Sequence, residues 1–233
     1  MGEGTDVGIV DGPQELTPGW ITAALDHGGH GLRVIDVVSE RIGTGQMGAT
    51  YRMHLTYDGS PGPATLVAKL GADDPAARAL VAPGYAAEVG FYTALAHTVS
   101  VRTPRCWYGQ ISADSASFTL LLDDVADCAP GVQAEGCSVA QASAAVMNLV
   151  GLHAPRWDDR SLWEQGFLMR PSPEMARGMG QAFQSAAESF VERYRSQLDH
   201  DVTATLEAVS DAIIPWGLTG LEPFSLVHGD YRL

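Results

Sequence analysis

The first residue that could do chemistry is Lys69, which lies inside the apolar stretch TLVAKL at 65–70. A lysine in such a stretch must reach solvent or meet a negative partner, because burying an unpaired ammonium costs free energy. Side chains alternate along a strand, so Lys69 is expected on the face opposite Leu66, Ala68 and Leu70. One face can therefore belong to a core while the other lines a cleft. An edge-strand lysine without a ligand is the alternative.

Glu88 is the second residue of this kind, because it lies inside an apolar stripe of a predicted helix. It follows Tyr85 by three residues and precedes Tyr92 by four. A carboxylate in that position needs a cation, and the preceding strand offers Lys69. An ion pair between the two would hold the amine toward bound phosphates. A peripheral Glu88 on a helix of different phase is the alternative.

The segment GTGQMG at 43–48 matches the pattern G-x-G-x-x-G, whose main-chain N–H groups can approach phosphates closely. The dinucleotide-binding version needs a helix directly after the glycines, whereas 49–57 alternates as a strand does. A helix there would favour a nicotinamide-dependent oxidoreductase. A hairpin loop without a ligand is a further alternative. The residues that would bind ATP in this loop are Gly43, Thr44, Gly45, Gln46, Met47 and Gly48.

The last residues, SLVHGDYRL at 225–233, place an aspartate directly after a predicted apolar strand. Asp230 in that position can accept a hydroxyl proton while the hydroxyl oxygen attacks phosphorus. His228 is expected to orient the loop. A plain transition from strand to turn is the alternative.

A sheet and one main helix are predicted to position these residues. Residues 32–70 alternate and turn as an antiparallel meander of three strands, and two more strands are predicted in PRCWYGQIS and SFTLLLDD. A helix begins near Asp73, and Pro83 with Gly84 is expected to interrupt it. Residues 32–122 therefore predict a five-stranded antiparallel sheet with a helix.

After Asp123 the pattern becomes helical. Ser138 with Gln141 forms a capping box, Ser172 precedes a second long helix, and a third is expected to stop at Pro215. The chain is thus predicted to be an α+β protein with a nucleotide-binding lobe at 1–122, followed by a hinge and a helical lobe at 123–233.

The order of these signals favours a kinase. A glycine loop between two strands, a lysine on the next strand, an inward glutamate on the next helix and an acidic connector lead to a helical lobe with HGD. A non-catalytic nucleotide-binding or regulatory module would carry the same loop and lysine.

The sequence also resembles the aminoglycoside phosphotransferase group of small-molecule kinases, in the branch of the choline and ecdysteroid kinases. The residues that carry the likeness are GTGQMGATYR, LVAKL, AAEVGFYTALA, FTLLLDDVAD, LHAPRWDD and LVHGDYRL. The resemblance implies a two-lobed protein-kinase-like fold that uses ATP and Mg²⁺, with Asp230 as base, Lys69 on the phosphates and Glu88 as its partner. The implied hinge beside adenine is Leu122, Asp123, Asp124 and Val125.

The likeness stops directly after HGD, where the family continues with an asparagine and another aspartate that hold magnesium. We therefore expect no metal ligand within this chain, an incomplete helical lobe, little activity of the 233-residue piece alone and a tendency to self-associate. His153 and Trp157 are expected to pack rather than to catalyse.

Composition limits the partners. The net charge of −14 disfavours nucleic acid and anionic membranes. Three cysteines without CxxC spacing predict neither a disulfide framework nor a zinc site, and no apolar stretch is long enough for a membrane span. A cytoplasmic kinase of a small-molecule hydroxyl follows. Its acceptor stays open among aminoglycosides, amino alcohols and sterol-like alcohols, since the acidic Asp158, Asp159 and Glu164 suit a cation or simply solvent.

Overall fold

The computed structural model describes residues 7–43, 48–59, 61–128, 131–170, 172–219 and 222–231. These residues fall into two compact units. The first runs to Arg156 and also contains Gln165–Leu168 and the residues from Leu226 onward, and the second contains Trp157–Glu164 and Met169–Ser225. The predicted lobe boundary at residue 122 and the two-lobed arrangement stay predictions.

The first unit contains the predicted five-stranded sheet, antiparallel throughout, in the spatial order β1-β2-β3-β5-β4. The strands are β1 Val34–Ile42, β2 Ala49–Tyr57, β3 Thr65–Leu70, β4 Cys106–Ile111 and β5 Phe118–Asp123. Together with the helices, the sheet confirms the α+β class.

Five α-helices are present among the described residues. They are α1 Pro18–His27, α2 Pro75–Gly90, α3 Val139–His153, α4 Pro173–Tyr194 and α5 His200–Gly217. The capping box at Ser138 and Gln141 is confirmed, because each side chain binds the main-chain N–H of the other residue. Ser172 caps α4 by accepting a hydrogen bond from the Met175 N–H.

The two faces of the sheet are covered by different helices. On one face, Ile21 and Leu25 of α1 belong to the buried core that contains Met53 and Leu66. On the other face, α2 packs through two buried side chains against β5; the residues of this smaller core are Tyr85, Val89, Phe118, Leu120 and Leu122. The face under α2 is the one on which Lys69 lies, since Lys69 pairs with Leu120 across the ladder.

Three local predictions are wrong. Helix α2 runs through Pro83 without interruption and continues as a π-helical turn at Phe91–Leu95, because the packing of Tyr85 and Val89 outweighs the hydrogen bond that proline removes. Helix α5 passes Pro215 and ends at Gly217. Residues 225–227 are extended but join no ladder, so the strand predicted before HGD is absent.

The second unit is built on a helical hairpin. Helices α4 and α5 pack closely at Gly180, where an added Cβ would lie 2.3 Å from Ile214. The Gln184 side chain donates to the main-chain oxygen of Ser210 at 2.7 Å. These contacts fix the pairing of the two helices inside this unit.

Candidate functional site

The predicted ion pair between Lys69 and Glu88 is present. Lys69 is the fifth residue of β3, where half-exposed residues alternate with buried ones, and its Nζ contacts Oε1 of Glu88 on α2. The two side chains are 33% and 31% exposed, so the pair is reachable from solvent. The amine is therefore held in one direction without being sealed off, which suits contact with an anionic ligand.

The ion pair sits at the margin of the smaller core. Lys69 lies between Thr50 of β2 and Leu120 of β5 in the sheet register. Tyr92 lies one turn beyond Glu88, and burial, together with the Glu88 charge, raises the pKa of its phenol to about 12. Tyr92 thus stays a neutral phenol near the carboxylate at neutral pH, and the Lys69 ammonium supplies the positive charge.

The connection from β3 to α2 is bound by side chains of α2. The Ala72 N–H donates to the hydroxyl of Tyr85 at 2.9 Å, and the Ala72 carbonyl accepts from Nε of Arg78. The Arg78 Nη1 also donates to Oδ1 of Asp11 at 2.6 Å and to Oγ of Ser117 at 2.9 Å. Sequence reasoning missed Arg78 and Tyr85, because none of these partners is near in a periodic pattern.

The predicted hinge is fixed to the sheet by Arg52. Its Nε donates to Oδ2 of Asp124 at 2.6 Å and its Nη2 to Oδ1 at 3.2 Å. The Asp124 side chain is only 4% exposed, and the hydrogen bond from Arg52 lowers the pKa of its carboxyl, with Thr65 and the Ala126 N–H acting in the same direction and burial opposing them. Arg52 also approaches Glu40 of β1 at 3.4 Å.

Asp123 is held by β4 and the residue before it. The Trp107 Nε1 donates to Oδ1 of Asp123 at 2.7 Å, and the Arg105 N–H donates to Oδ2 at 3.3 Å. Arg105 also stacks over the Trp107 ring at 4.0 Å. Leu122, the preceding hinge residue, is buried, whereas Val125 is exposed. Both acidic side chains of the hinge are thus engaged by the protein itself.

A cavity of about 380 Å³ opens beside this hinge. Its lining includes the hinge residues 123–125 and the cations and acids of the neighbouring loops, among them Arg102 and Asp127. Because the carboxylates of Asp123 and Asp124 are already hydrogen-bonded, the cavity offers a ligand mainly exposed main chain and the distant pair of Arg102 and Asp127, 3.8 Å apart.

The glycine loop is described only at its two ends. Gly43 has a φ of +73°, a left-handed conformation that favours glycine. A Cβ at Gly48 would lie 2.9 Å from the carbonyl oxygen of Leu70, so this position also requires glycine. The predicted ATP-binding residues Thr44, Gly45, Gln46 and Met47 lie outside the described residues. Residues 49–57 form strand β2, so the helix that a nicotinamide enzyme would need is absent.

The HGD segment contacts α3. Leu226 is buried, Gly229 has a φ of +79°, and the Asp230 N–H donates to Nδ1 of His228 at 3.3 Å. The Tyr231 hydroxyl accepts from Nδ2 of Asn148 on α3 at 3.2 Å. Asp230 itself is exposed. His228 thus orients the loop as predicted, while the role of Asp230 as a base stays a prediction.

Two further predictions concern packing and metals. Trp157 is 58% exposed, so its prediction as a packing residue is wrong; a short polar segment surrounds it in place of a helix core. Within the described ranges, no three His, Cys, Asp or Glu side chains are grouped so that they could hold a metal ion. No helix in the described part of the chain is long and apolar enough to cross a bilayer.

One signal in the sequence was overlooked. Of the 14 Lys and Arg residues, one is lysine and 13 are arginine, and the one lysine is Lys69. Arginine is thus the usual cation of this chain, and the compact ammonium is found only where it meets Glu88. Lysine and arginine differ in shape and hydration, so this choice points to a local chemical requirement.

Comparison with known proteins gives little similarity. No family and no curated protein matches the chain. A crystal structure from Ralstonia eutropha JMP134, of a protein provisionally named an aminoglycoside phosphotransferase, matches with a TM-score of 0.43 and 18% identity. The match covers 85% of this chain and 53% of that one, so the chain spans about half the length of the protein it matches. By itself this similarity assigns neither an activity nor a substrate.

Proposed function

We propose that this chain binds ATP and belongs to a kinase that phosphorylates a hydroxyl group of a small molecule. The observation that carries the proposal is the ion pair of Lys69 with Glu88, formed by the one lysine of the chain on the sheet face under α2. An ammonium held by a carboxylate in this way can contact phosphate oxygens while keeping a fixed direction.

The other parts of the site have complementary roles in the proposal. The glycine loop would cover the phosphates through main-chain N–H groups. Because Trp107 and Arg52 occupy the side chains of Asp123 and Asp124, adenine would meet the hinge through its main chain and through Val125. The acceptor class, whether amino sugar, amino alcohol or sterol-like alcohol, stays open.

The proposed reaction is an in-line displacement. Asp230 accepts the proton of the acceptor hydroxyl, the hydroxyl oxygen bonds to the γ-phosphorus, and the bond from that phosphorus to the bridging oxygen breaks as ADP leaves. Magnesium, where bound, neutralises charge on the phosphates. The described residues contain no group of ligands that fits it, so none of the roles above depends on its position.

ATP binding to the isolated chain tests the proposal. Lys69→Met should weaken binding roughly 10- to 100-fold, because a charge-assisted hydrogen bond is worth about 1.5–3 kcal/mol. Arg33→Gln is the matched control, since it removes the same unit charge from an exposed pair with Asp58 at 3.4 Å. Equal dissociation constants for the wild type and Lys69→Met, by calorimetry, would contradict the proposal.

A transfer assay separates the kinase from a regulatory nucleotide-binding module. Phosphate transfer to amino sugars, amino alcohols or sterols that disappears in Asp230→Asn would support the kinase. ATP binding without transfer to any of them would favour the module. A cytoplasmic location, self-association and the lack of nucleic-acid or membrane partners stay predictions.

A further inference from the structure

The main chain of Ala72 is bound on both sides by helix α2. Its N–H donates to the hydroxyl of Tyr85 at 2.9 Å, and its carbonyl accepts from the guanidinium of Arg78. Both side chains are well placed for this, because Tyr85 is buried and Arg78 is only 14% exposed. The residue that leads out of β3 is therefore attached to α2 at two points.

These two attachments complete a closed ring with the ion pair. Ala72 lies three residues after Lys69, and Tyr85 lies three residues before Glu88, which is one turn along the same face of α2. The ring runs from Lys69 through Ala72, Tyr85 and Glu88 back to Lys69. A slide or rotation of α2 that separates Glu88 from the amine must therefore also break the bonds at Ala72.

Arg78 extends the ring to the residues before α1. Its Nη1 donates to Oδ1 of Asp11 at 2.6 Å. Asp11 is held in place because the neighbouring Val10 is buried, and the Val10 N–H donates to Oγ1 of Thr119 in β5 at 2.8 Å. The N-terminal segment, β5 and α2 thus meet at one guanidinium.

We infer that Arg78 and Tyr85 are positioning residues that set α2 so that Glu88 engages Lys69, and that Asp11 anchors this clamp. The clamp consists of Asp11, Ala72, Arg78 and Tyr85. Its importance for phosphate binding rests on the proposed function, but its effect on the ion pair does not need a nucleotide.

The single lysine makes the ion pair directly measurable. A small acylating reagent can modify Lys69 and no other side-chain amine, and the modified peptide can be quantified by mass spectrometry. Because the ion pair must open before the amine reacts, Glu88→Gln should accelerate acylation roughly two- to fivefold. Tyr85→Phe and Arg78→Gln should each shift the rate toward that of Glu88→Gln.

Two controls match these variants. Tyr57→Phe removes a hydroxyl bonded to the Pro63 carbonyl at 2.9 Å, and Arg33→Gln removes an exposed guanidinium, and both should leave the rate unchanged. Tyr85→Phe retains its ring against Phe118, at a centroid distance of 4.5 Å, so it should fold. If it does not fold by circular dichroism, Asp11→Asn tests the clamp from its other end.

A double variant separates positioning from general loosening. On the Glu88→Gln background, Tyr85→Phe should add nothing, because the pair is already broken. An equal acceleration on both backgrounds would overturn the inference, as would wild-type rates in Tyr85→Phe and Arg78→Gln. All rates are measured without ATP, so a chain that behaves as expected here but binds no ATP would overturn the proposed function alone.

Discussion

Asp124 and Arg52 form a two-pronged ion pair, with Nε to Oδ2 at 2.6 Å and Nη2 to Oδ1 at 3.2 Å. Asp124→Asn should cost about 1–3 kcal/mol in the free energy of unfolding, because it removes the charge from a nearly buried hydrogen-bonded group. Asp127→Asn is the control: its exposed contact with Arg102, at 3.8 Å, should be worth less than about 1 kcal/mol. Denaturant titration measures both, and equal losses would contradict the expectation.

The same pair gives a pH dependence. Arg52 lowers the pKa of Asp124 in the folded chain, so the carboxylate stabilises the fold above its unfolded pKa of about 3.9. That contribution is lost as the pH falls through the lower, folded pKa. The difference in stability between the wild type and Asp124→Asn should therefore be constant from about pH 7 to 5 and shrink below about pH 4. A constant difference down to about pH 2 would contradict this assignment.

The cysteines should differ in reactivity. Burial raises the pKa of the Cys106 thiol to about 11, whereas Cys128 and Cys137 are exposed. Since the thiolate is the nucleophile, iodoacetamide at pH 8 should modify two thiols per chain and reach Cys106 roughly 100-fold more slowly. All three should react in urea. Equal rates in the folded protein, by mass spectrometry, would show that Cys106 is not buried in solution.

Two glycines should respond oppositely to alanine. At Gly151 in α3, a Cβ would lie 2.7 Å from the Val101 nitrogen, so Gly151→Ala should destabilise by about 1–3 kcal/mol. Gly178 in α4 has no atom within 4 Å of the added Cβ, and Gly178→Ala should stabilise by up to about 1 kcal/mol. Thermal unfolding of the two variants gives the signs. Stabilisation by Gly151→Ala would contradict the close contact.

The sheet and the Lys69–Glu88 contact could be predicted because local periodicity contains them. Alternation along 65–70 gives the face of Lys69, and the apolar stripe around Glu88 gives the helix face. Elements next to each other in the chain usually neighbour each other in space, so the two faces meet. The role of these residues in binding is a chemical hypothesis that no periodic pattern contains.

Long-range partners could not be predicted. Arg52 meets Asp124 across 72 residues, and Val10 meets Thr119 across 109. Such pairs depend on the register of several strands together. Pro83 shows a second limit, because a local rule for helix ends fails where tertiary packing is stronger. Trp157 shows the converse, since aromatic character alone does not establish burial.

The buried Val10 and Leu16 make the segment ahead of α1 part of the core. Proteolytic trimming that removed Asp11 would withdraw a ligand from Arg78, and its effect would reach the amine of Lys69 through the intervening contacts. Cleavage at the start of this polypeptide would therefore act as a remote adjustment of how firmly the molecule grips an anion.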